Sequence, residues 1–454
     1  MVDPWSNSIH FTYDTLGRVH SIQVNSGEVM AYDYDTDGRL STVTAGSRVF
    51  TYTYTGGNPV PDQLQRPNGS VTFYSYDNLY RLLEIANKTN AGVVINGNAF
   101  TYDKAHMKTK EVITNGGAPG YLTNKTFAFN NVNQLTSTGY SYDADGNMTS
   151  FKTPDGYAAT ATYDAENRLK TVSYTDLHSV QHNYAFTYNA DGLIAKQVID
   201  GVETRFVRAG YLILQERDAS NNVTRSYVWD GVSPGGIGGL LELTQGGQHY
   251  DYLYDGKGNV NALIDASQAV VVAYRYDTFG NLISKSGTLD QPYQFSTKRC
   301  DAGTGIIIYE YRPYLPIVAK WMTHDPLGEE GGENLYEPMG NNASNYIDPT
   351  GEIRQRTTGR GATAVGMGVQ EINNWATLLS WLHILKYYVA CDKCHTPCPK
   401  IHAPDFVQPV VCPNGCCRHE QMMRCHPDEN PAKPDLEGPV PTPNSRPKRG
   451  RGVK

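Results

Sequence analysis

Two aspartates near residue 350 stand in matching motifs and could act together as an acid and a base. The motif Asp-Pro-x-Gly occurs at 325–328 and again at 348–351, on either side of a segment rich in Gly and Asn. Proline at the second position presets φ, so each motif by itself predicts only a turn. If the fold brings the carboxylates of Asp325 and Asp348 close together, they cannot both ionise, so one remains an acid while the other activates water.

A second set of reactive side chains consists of seven cysteines between residues 391 and 425. Two residues separate Cys391 from Cys394 and three separate Cys412 from Cys416, the spacing of short loops that each supply two ligands to a tetrahedral zinc ion. Zinc at these four residues is therefore our predicted cofactor. A disulfide framework is the alternative, although seven cysteines cannot all pair within the segment.

Other catalytic motifs are absent from the sequence. It contains no phosphate-binding loop and no His-Glu-x-x-His zinc motif. The ordered His-x-Glu and Pro-Cys-x-x-Cys signature of zinc deaminases is also missing. Whether the chain is an enzyme therefore depends on the two aspartates, and the sequence assigns no activity to the last hundred residues.

The elements that must position these groups are repeats. Between residues 11 and 285 the sequence returns to the pattern aromatic-x-Tyr-Asp-x-x-Gly-Arg/Asn-Leu, as in FTYDTLGRV and YDYDTDGRL. The central tyrosines are 21 residues apart from Tyr13 to Tyr34 and from Tyr142 to Tyr163, and 22 apart from Tyr254 to Tyr276. Tyr54 is predicted to be a degenerate copy. Such a period indicates a repeat array.

Each unit is predicted to be a β-hairpin. The alternation of aromatic-x-Tyr has period two and places both rings on one face of a strand. The aspartate can bind backbone amides of the turn, and a glycine at the fourth position, such as Gly17 or Gly146, can take the positive φ that the turn needs. One hairpin cannot bury its apolar face alone, so successive units must pair edge to edge into a long, curling sheet. The repeat tyrosines and aspartates are therefore predicted to be structural.

The composition agrees with a protein of many strands and turns. The 454 residues include 32 Tyr, 44 Gly and 25 Pro, and only 19% are charged, a balance that does not suit a helical protein. A net charge of -7 excludes an electrostatic footprint for nucleic acid over the whole molecule. The first residues lack the basic and apolar parts of a signal peptide, and the apolar run Trp375–Ala390 is too short to cross a bilayer. We expect neither a signal peptide nor a membrane span.

These motifs resemble the YD/RHS repeats of bacterial Rhs proteins, of the C component of insecticidal Tc toxins and of teneurins. The resemblance covers residues 1 to about 352 and is most specific at its end, where YRYDTFGNLISKSG and then YEYRPYLPIVAKWMTHDPLGEEGGENLYEPMGNNASNYIDPTGEI look like the Rhs-associated core. It implies a mainly β fold in which the repeats spiral into a hollow shell that encloses a C-terminal polypeptide, commonly a toxin. The chain starts in mid-repeat, which predicts a shell that is incomplete at its N-terminus.

The resemblance also implies a role for the two aspartates. In the family, aspartates at these two motifs are implicated in aspartyl-type self-cleavage just after the second motif. Carried over to this chain, Asp325 and Asp348 are the catalytic pair and Glu352-Ile353 is the cleaved bond. The chain departs from the family pattern at three positions: an apolar residue is usual at Glu352, and arginines are frequent at His324 and Lys320.

The sequence divides into three regions. Residues 1–272 carry the repeats, 273–352 the core with its Asp-Pro-x-Gly boundary, and 353–454 a variable C-terminal region. In that last region, apolar spacing predicts a helix over 371–388, followed by a cysteine-rich segment over 391–426 and a basic, disordered tail over 430–454. We expect the helix to pack on protein and not on a membrane, because it lacks a polar face rich in Lys and Arg. The tail is expected to be solvated, with a nucleic-acid contact as the alternative.

The sequence thus predicts a containment and delivery protein. A β-shell would hold a variable C-terminal effector, a polymorphic toxin, and release it by self-cleavage. Its partners would be its own enclosed C-terminal segment, an immunity protein and a secretion apparatus that brings it outside the cell or to the cell surface. One alternative is a secreted or surface binding protein whose cysteine-rich tail is a stapled module without toxicity. Another alternative is that the sequence is encoded by the degenerate or displaced end of a gene that is no longer functional.

Overall fold

The computed structural model describes residues 1–115, 125–352 and 354–356. Almost all regular structure in these residues is antiparallel β, which confirms the predicted mainly β fold. The strands form two long sheets and two small ones, and in each sheet the strand order follows the chain without a crossover. Each hairpin therefore pairs with the edge left by the hairpin before it.

The first long sheet has ten strands. They are β1 (Ile9–Tyr13), β2 (Val19–Val24), β3 (Val29–Tyr34), β4 (Leu40–Ala45), β5 (Arg48–Thr53), β6 (Gln63–Gln65), β7 (Val71–Tyr76), β8 (Leu82–Lys88), β9 (Val94–Tyr102) and β10 (Lys108–Thr114).

The second long sheet has fourteen strands. They are β11 (Ser141–Tyr142), β12 (Met148–Lys152), β13 (Ala158–Tyr163), β14 (Leu169–Thr175), β15 (Gln181–Tyr188), β16 (Ile194–Ile199), β17 (Val202–Ala209), β18 (Leu212–Arg217), β19 (Val223–Trp229), β20 (Leu240–Gln245), β21 (Gln248–Tyr254), β22 (Val260–Ile264), β23 (Val270–Tyr276) and β24 (Leu282–Gly287).

The core region that follows is built from shorter elements. A four-stranded sheet contains β25 (Arg299–Cys300), β26 (Ile307–Ile308), β27 (Pro313–Leu315) and β28 (Lys320–Trp321), and a two-stranded sheet contains β29 (Tyr346–Ile347) and β30 (Gln355–Arg356). Short 3₁₀ helices lie at Pro234–Gly236, Phe295–Thr297, Pro316–Val318, Gly328–Glu330 and Met339–Asn341.

The repeat turns have the geometry that the sequence predicts. In the first unit, Oδ1 of Asp14 accepts hydrogen bonds from the backbone N–H groups of Leu16 and Arg18, both at 2.9 Å. Gly17 has a φ of +78°, which a residue without Cβ adopts at little cost. In a unit without the glycine, Tyr80 takes a φ of +58° at the same place. The prediction that the aspartate and the residue with positive φ build the turn is confirmed.

A chain of three side chains connects several of the units to the next, and we call it the Asp–Arg–Tyr relay. Nε of Arg39 donates to Oδ2 of the turn residue Asp35 at 2.7 Å. The guanidinium then lies over the ring of Tyr54 in the next unit, 4.4 Å from its centroid. The Tyr54 hydroxyl donates to the carbonyl of Leu40 at 2.8 Å. One arginine thus fixes the turn of its own hairpin and the tyrosine of the next, and Tyr54 holds the place of a repeat tyrosine.

The relay recurs along both long sheets. Its other arginine–tyrosine pairs are Arg18 with Tyr34, Arg81 with Tyr102, and Arg168 with Tyr188. Each of these tyrosine hydroxyls also donates to a backbone carbonyl of the preceding hairpin. In some later units an asparagine replaces the arginine, as where Nδ2 of Asn259 donates to Oδ2 of Asp255 at 2.7 Å. The turn is then closed by a shorter side chain.

The two long sheets share one hydrophobic core. It consists of buried side chains from the ten-stranded sheet and from β16–β23 of the fourteen-stranded sheet. Side chains of the first sheet also bond to backbone carbonyls of the second: the Tyr32 hydroxyl donates to Trp229 at 3.2 Å, and Nη2 of Arg66 donates to Tyr252 at 3.0 Å. These bonds fix the register of one sheet on the other.

A buried carboxyl pair lies at this contact between the sheets. Glu242 and Asp251 are opposite each other on β20 and β21 and are 1% and 6% exposed. Nε of Arg48, on β5, lies 2.9 Å from both carboxylate oxygens of Glu242. Burial raises the pKa of Asp251 to about 7, an effect that Arg66 partly offsets and Glu242 increases. Asp251 therefore changes its charge near neutral pH inside the contact.

A second core holds the C-terminal part of the described chain against the fourteen-stranded sheet. Leu315 and Met322 pack there with buried residues of β12–β15, and the backbone N–H of Met148 donates to the carbonyl of Met322 at 2.8 Å. A separate cluster surrounds the fully buried Trp321. These contacts position the chain between residues 309 and 352, which carries both Asp-Pro-x-Gly motifs.

Three predictions fall outside the described residues. They concern the helix over 371–388, the cysteine-rich segment over 391–426 and the basic tail over 430–454. Among the residues that the structure describes, no helix has the length and apolar character to span a membrane.

We predict that Arg39→Leu lowers the free energy of unfolding by about 2–3 kcal/mol, because it removes charge-assisted hydrogen bonds and a cation–π contact together. Urea unfolding measures this change. Lys170→Leu is the matched control, since Lys170 is exposed, and its effect should stay below about 0.5 kcal/mol. Equal stability of the two variants would show that the relay contributes nothing.

We also predict that stability depends on pH through Asp251. Its pKa of about 7 in the folded chain lies above the ordinary 3.8, so between these values the folded chain keeps a proton that the unfolded chain has released. This stabilisation is complete below pH 3.8 and is lost as pH rises through 7, a change on the order of 4 kcal/mol. Asp251→Asn should flatten this part of the profile of unfolding midpoint against pH. Asp155→Asn, at an exposed position, should leave the profile unchanged. An unchanged slope in Asp251→Asn would show that Asp251 is not the source of this pH dependence.

Candidate active site

Three short segments of the core region bring the predicted pair together. Arg312 directly precedes β27, Asp325 lies four residues after the end of β28, and Asp348 directly follows β29. The backbone N–H of Tyr311 donates to the carbonyl of Thr350 at 3.1 Å, which ties the first segment to the third. The burial of Trp321 in its aromatic cluster anchors the second.

Asp325 closes its own turn and forms an ion pair. Its Oδ1 accepts a hydrogen bond from the backbone N–H of Leu327 at 3.0 Å, and its Oδ2 lies 2.8 Å from Nη2 of Arg312. Gly331 packs closely against this carboxylate, since a Cβ at that residue would lie 2.5 Å from Oδ2. The side chain of Asp325 is 8% exposed, so this ion pair is largely withdrawn from water.

Asp348 holds the backbone that leads to the predicted cleavage point. Its Oδ1 accepts hydrogen bonds from the N–H groups of Thr350, Gly351 and Glu352 at 3.2, 2.7 and 3.1 Å. Its Oδ2 lies 3.8 Å from Nη2 of Arg312. Burial raises the pKa of Asp348, and Arg312 and the three amides offset only part of that effect. The carboxyl group is therefore suited to carry a proton.

Arg312 is the cation that joins the two motifs. It is 2% exposed, and one of its nitrogens, Nη2, lies near both aspartates. Its Nε donates to the carbonyl of Gly351, and its guanidinium lies 4.3 Å from the ring centroid of Trp321. A planar group with several fixed donors can hold two carboxylates and a peptide carbonyl at once.

A third carboxyl group, that of Glu352, stands beside the pair. Its Oε2 accepts a hydrogen bond from the Thr350 hydroxyl at 3.2 Å. Burial raises the pKa of Glu352; the Thr350 bond lowers it in part, and the charges of Asp348 and Asp325 raise it further. The site therefore contains three carboxyl groups around one guanidinium.

The sequence predicts the two aspartates of this site but not Arg312. Its position in the segment YEYRPYLP gave no indication of a contact with either motif, because neither is near it in sequence. The residues at the family's arginine positions make other contacts: Nε2 of His324 lies 2.8 Å from the Tyr336 hydroxyl, and Nζ of Lys320 lies 5.0 Å from the ring centroid of Phe129.

The predicted zinc ligands, Cys391, Cys394, Cys412 and Cys416, lie outside the described residues, so zinc binding stays a prediction. Ile353 lies outside them as well. In the three described ranges, no group of three or more His, Cys, Asp or Glu side chains is arranged to hold a metal ion.

The arrangement is suited to acid–base chemistry on a nearby peptide. The carboxylate of Asp325 is held by a close ion pair, whereas that of Asp348 tends to keep a proton and accepts hydrogen bonds from the backbone of residues 350–352. Two carboxyl groups whose environments differ in this way can take the roles of base and acid.

Family models match two parts of the chain. The model for the teneurin YD-shell matches residues 4–98, and the model for the RHS repeat matches residues 142–178. Both matches lie in the region where the sequence repeats.

Three curated relatives align with about three-quarters of the chain. The tRNA nuclease WapA of Bacillus subtilis is 29% identical over 392 residues, covering 75% of this chain and 15% of the relative. The toxin protein Tse5 of Pseudomonas aeruginosa is 26% identical over 385 residues, covering 76% and 27%. The double-stranded DNA deaminase toxin A of Burkholderia cenocepacia is 23% identical over 390 residues, covering 74% and 27%. The chain thus spans only a small part of these relatives.

Solved Tc-toxin structures share the fold. A chain of the TcdB2-TccC3-Cdc42 structure matches with a TM-score of 0.57 at 17% identity, covering 76% of this chain and 22% of that chain. A chain of the Tc holotoxin pore of Photorhabdus luminescens matches with a TM-score of 0.56 at 17% identity, covering 76% and 21%. The chain therefore contains sequence that matches the teneurin YD-shell and RHS-repeat models, it is similar to RHS-type toxin proteins, and it shares the fold of these Tc-toxin structures.

Proposed function

We propose that this chain is part of a shell protein that encloses a C-terminal effector and frees it by cleaving its own backbone between Glu352 and Ile353. The observation that carries the proposal is the convergence of Asp325 and Asp348 on one buried nitrogen of Arg312. This convergence lies immediately before the point where the repeat-bearing part of the chain ends.

The comparisons support the division into a shell and an effector. The relatives are named for a tRNA nuclease, a toxin and a DNA deaminase toxin, yet they align with about the same share of this chain. A region common to proteins of different activities is more consistent with a container than with the active agent. We infer that the effector begins after Glu352, and that an immunity protein and a secretion apparatus serve it as partners.

In this mechanism the two aspartates divide the roles of base and acid. Asp325, in the closer ion pair with Arg312, is ionised and removes a proton from the attacking water. Burial raises the pKa of Asp348, so Asp348 carries the proton that passes to the departing nitrogen of Ile353. The water oxygen becomes part of the new carboxyl group of Glu352, and the pair keeps one proton overall.

Arg312 and the turn of Asp348 would orient the peptide for this reaction. Nε of Arg312 holds the Gly351 carbonyl, and the Asp348 carboxylate holds the N–H of Glu352. Both bonds fix the backbone immediately before the cleaved bond, which reduces the entropy lost on the way to the transition state.

We predict that the intact chain yields two fragments, residues 1–352 and 353–454, and that Asp348→Asn prevents this. Asparagine keeps an oxygen that can accept the three backbone bonds but cannot give up a proton as an acid, so the turn should persist. Electrophoresis and mass spectrometry of the purified chain measure the products, and thermal unfolding reports whether the variant is folded.

Asp155→Asn is the matched control and should cleave like the parent chain, because Asp155 is exposed and lies outside the site. Cleavage in folded Asp348→Asn at the parent rate would refute the assigned role. Cleavage should also slow as pH rises above the pKa of Asp348, since the acid is then lost.

A second prediction concerns the effector. Expression of residues 353–454 in a bacterial cytoplasm should arrest growth, whereas residues 1–352 expressed from the same vector should not. Growth curves and immunoblots measure arrest and accumulation. Harmless accumulation of 353–454 would instead favour a binding module without toxicity.

A further inference from the structure

The imbalance of charge around Arg312 has consequences for the protonation of the aspartate pair. Three carboxyl groups, those of Asp325, Asp348 and Glu352, surround one guanidinium. With all of them ionised, the cluster has two negative charges in excess. With a neutral residue at 352 the excess is only one, so the buried cluster would bind a proton less strongly.

Electrostatic coupling between these groups acts in both directions. The charges of Asp348 and Asp325 disfavour ionisation of Glu352, and an ionised Glu352 must disfavour loss of the proton from the aspartate pair to the same degree. Arg312 acts oppositely, because it favours the ionised form of both aspartates. Whether the pair holds a single proton at a given pH thus depends on the balance between Arg312 and Glu352.

We propose that Glu352 sets the pH range of self-cleavage: its ionised carboxylate opposes Arg312, so the Asp325–Asp348 pair keeps one proton to a higher pH than it would with a neutral residue at 352. This inference rests on the proposed function. Glu352 acts here through the aspartates, and its side chain takes no proton from water.

The geometry favours a direct electrostatic effect. The backbone N–H of Glu352 is bound to Oδ1 of Asp348 at 3.1 Å, so both carboxyl groups belong to one turn. The Thr350 hydroxyl, which donates to Oε2 of Glu352, restrains the side chain next to that turn. Within one turn of a largely buried site, a single charge shifts the titration of a neighbouring group by about one pH unit or more.

Other titratable groups face the cluster without altering this balance. The hydroxyls of Tyr211 and Tyr311 lie 3.0 Å apart, and burial raises the pKa of both above its ordinary value of 10.0. They stay neutral in the relevant range. Lys298, which also acts on Asp348, is paired with Glu310 at 2.8 Å.

The test is the rate of self-cleavage of the full chain between pH 4 and pH 9. Glu352→Gln keeps the shape of the side chain and removes its charge. We expect this change to move the alkaline limb of the profile, where the rate falls as pH rises, to lower pH by about one unit or more. Glu352→Leu removes the charge with a different side chain and should give a shift in the same direction. Glu330→Gln is the matched control: Glu330 lies in the turn after Asp325 but is exposed, so its loss should leave the limb in place.

The outcomes separate this inference from the proposed function. If the parent chain and all variants cleave with the same alkaline limb, the role of Glu352 is overturned and self-cleavage is still supported. A limb that moves upward in Glu352→Gln also overturns it. Absence of cleavage in every chain at every pH overturns the proposed function and this inference with it. A general effect on folding would change the rate at all pH values without moving the limb, and that result too would count against the proposal.

Discussion

The hydrogen bonding of an aspartate carboxylate to the amides of its own turn is the interaction on which the rest of the structure depends. In the repeats, Oδ1 accepts from the amides two and four residues further on, as for Asp77 at 2.9 and 3.0 Å. Because each turn closes in this way, each hairpin leaves its chain in position to pair with the next. Sheets of ten and fourteen strands therefore grow in chain order.

The candidate site uses the same interaction in a different environment. Asp325 and Asp348 also accept amides of their own turns, as the repeat aspartates do. A repeat aspartate such as Asp14 has its own arginine, Arg18, four residues away, and keeps 19% of its side-chain exposure. Asp325 and Asp348 are 8% and 3% exposed and share Arg312. Two such turns can therefore act as an acid and a base when their carboxylates lie beside one buried cation.

Side chains that cross from one unit or sheet to another complete the fold. The arginines of the relay connect consecutive hairpins, and Arg48 and Arg66 connect the first sheet to the second. Such bonds place charged groups in the interior, where each must find a partner. Asp251 and Glu242 show the consequence, because two carboxyl groups opposite each other cannot both be charged at little cost.

The sequence by itself determined the local structure. The spacing of Tyr13 and Tyr34 predicted the repeats, and the Asp-x-x-Gly pattern predicted their turns, because these features depend on residues within one hairpin. It also singled out Asp325 and Asp348 as a possible acid and base, although only the resemblance to a family gave a reason to expect that they meet and cleave the chain. These predictions needed no knowledge of how distant segments pack.

Tertiary structure decided which distant groups meet. The arginine at the centre of the site, Arg312, is 13 residues from Asp325 and 36 from Asp348, and no periodicity relates the three. Their convergence depends on the burial of Trp321 and on the bond from Tyr311 to Thr350. The raised pKa of Asp348 likewise follows from burial. A sequence specifies the chemical groups, but charge states depend on desolvation and on neighbours that only the folded chain supplies.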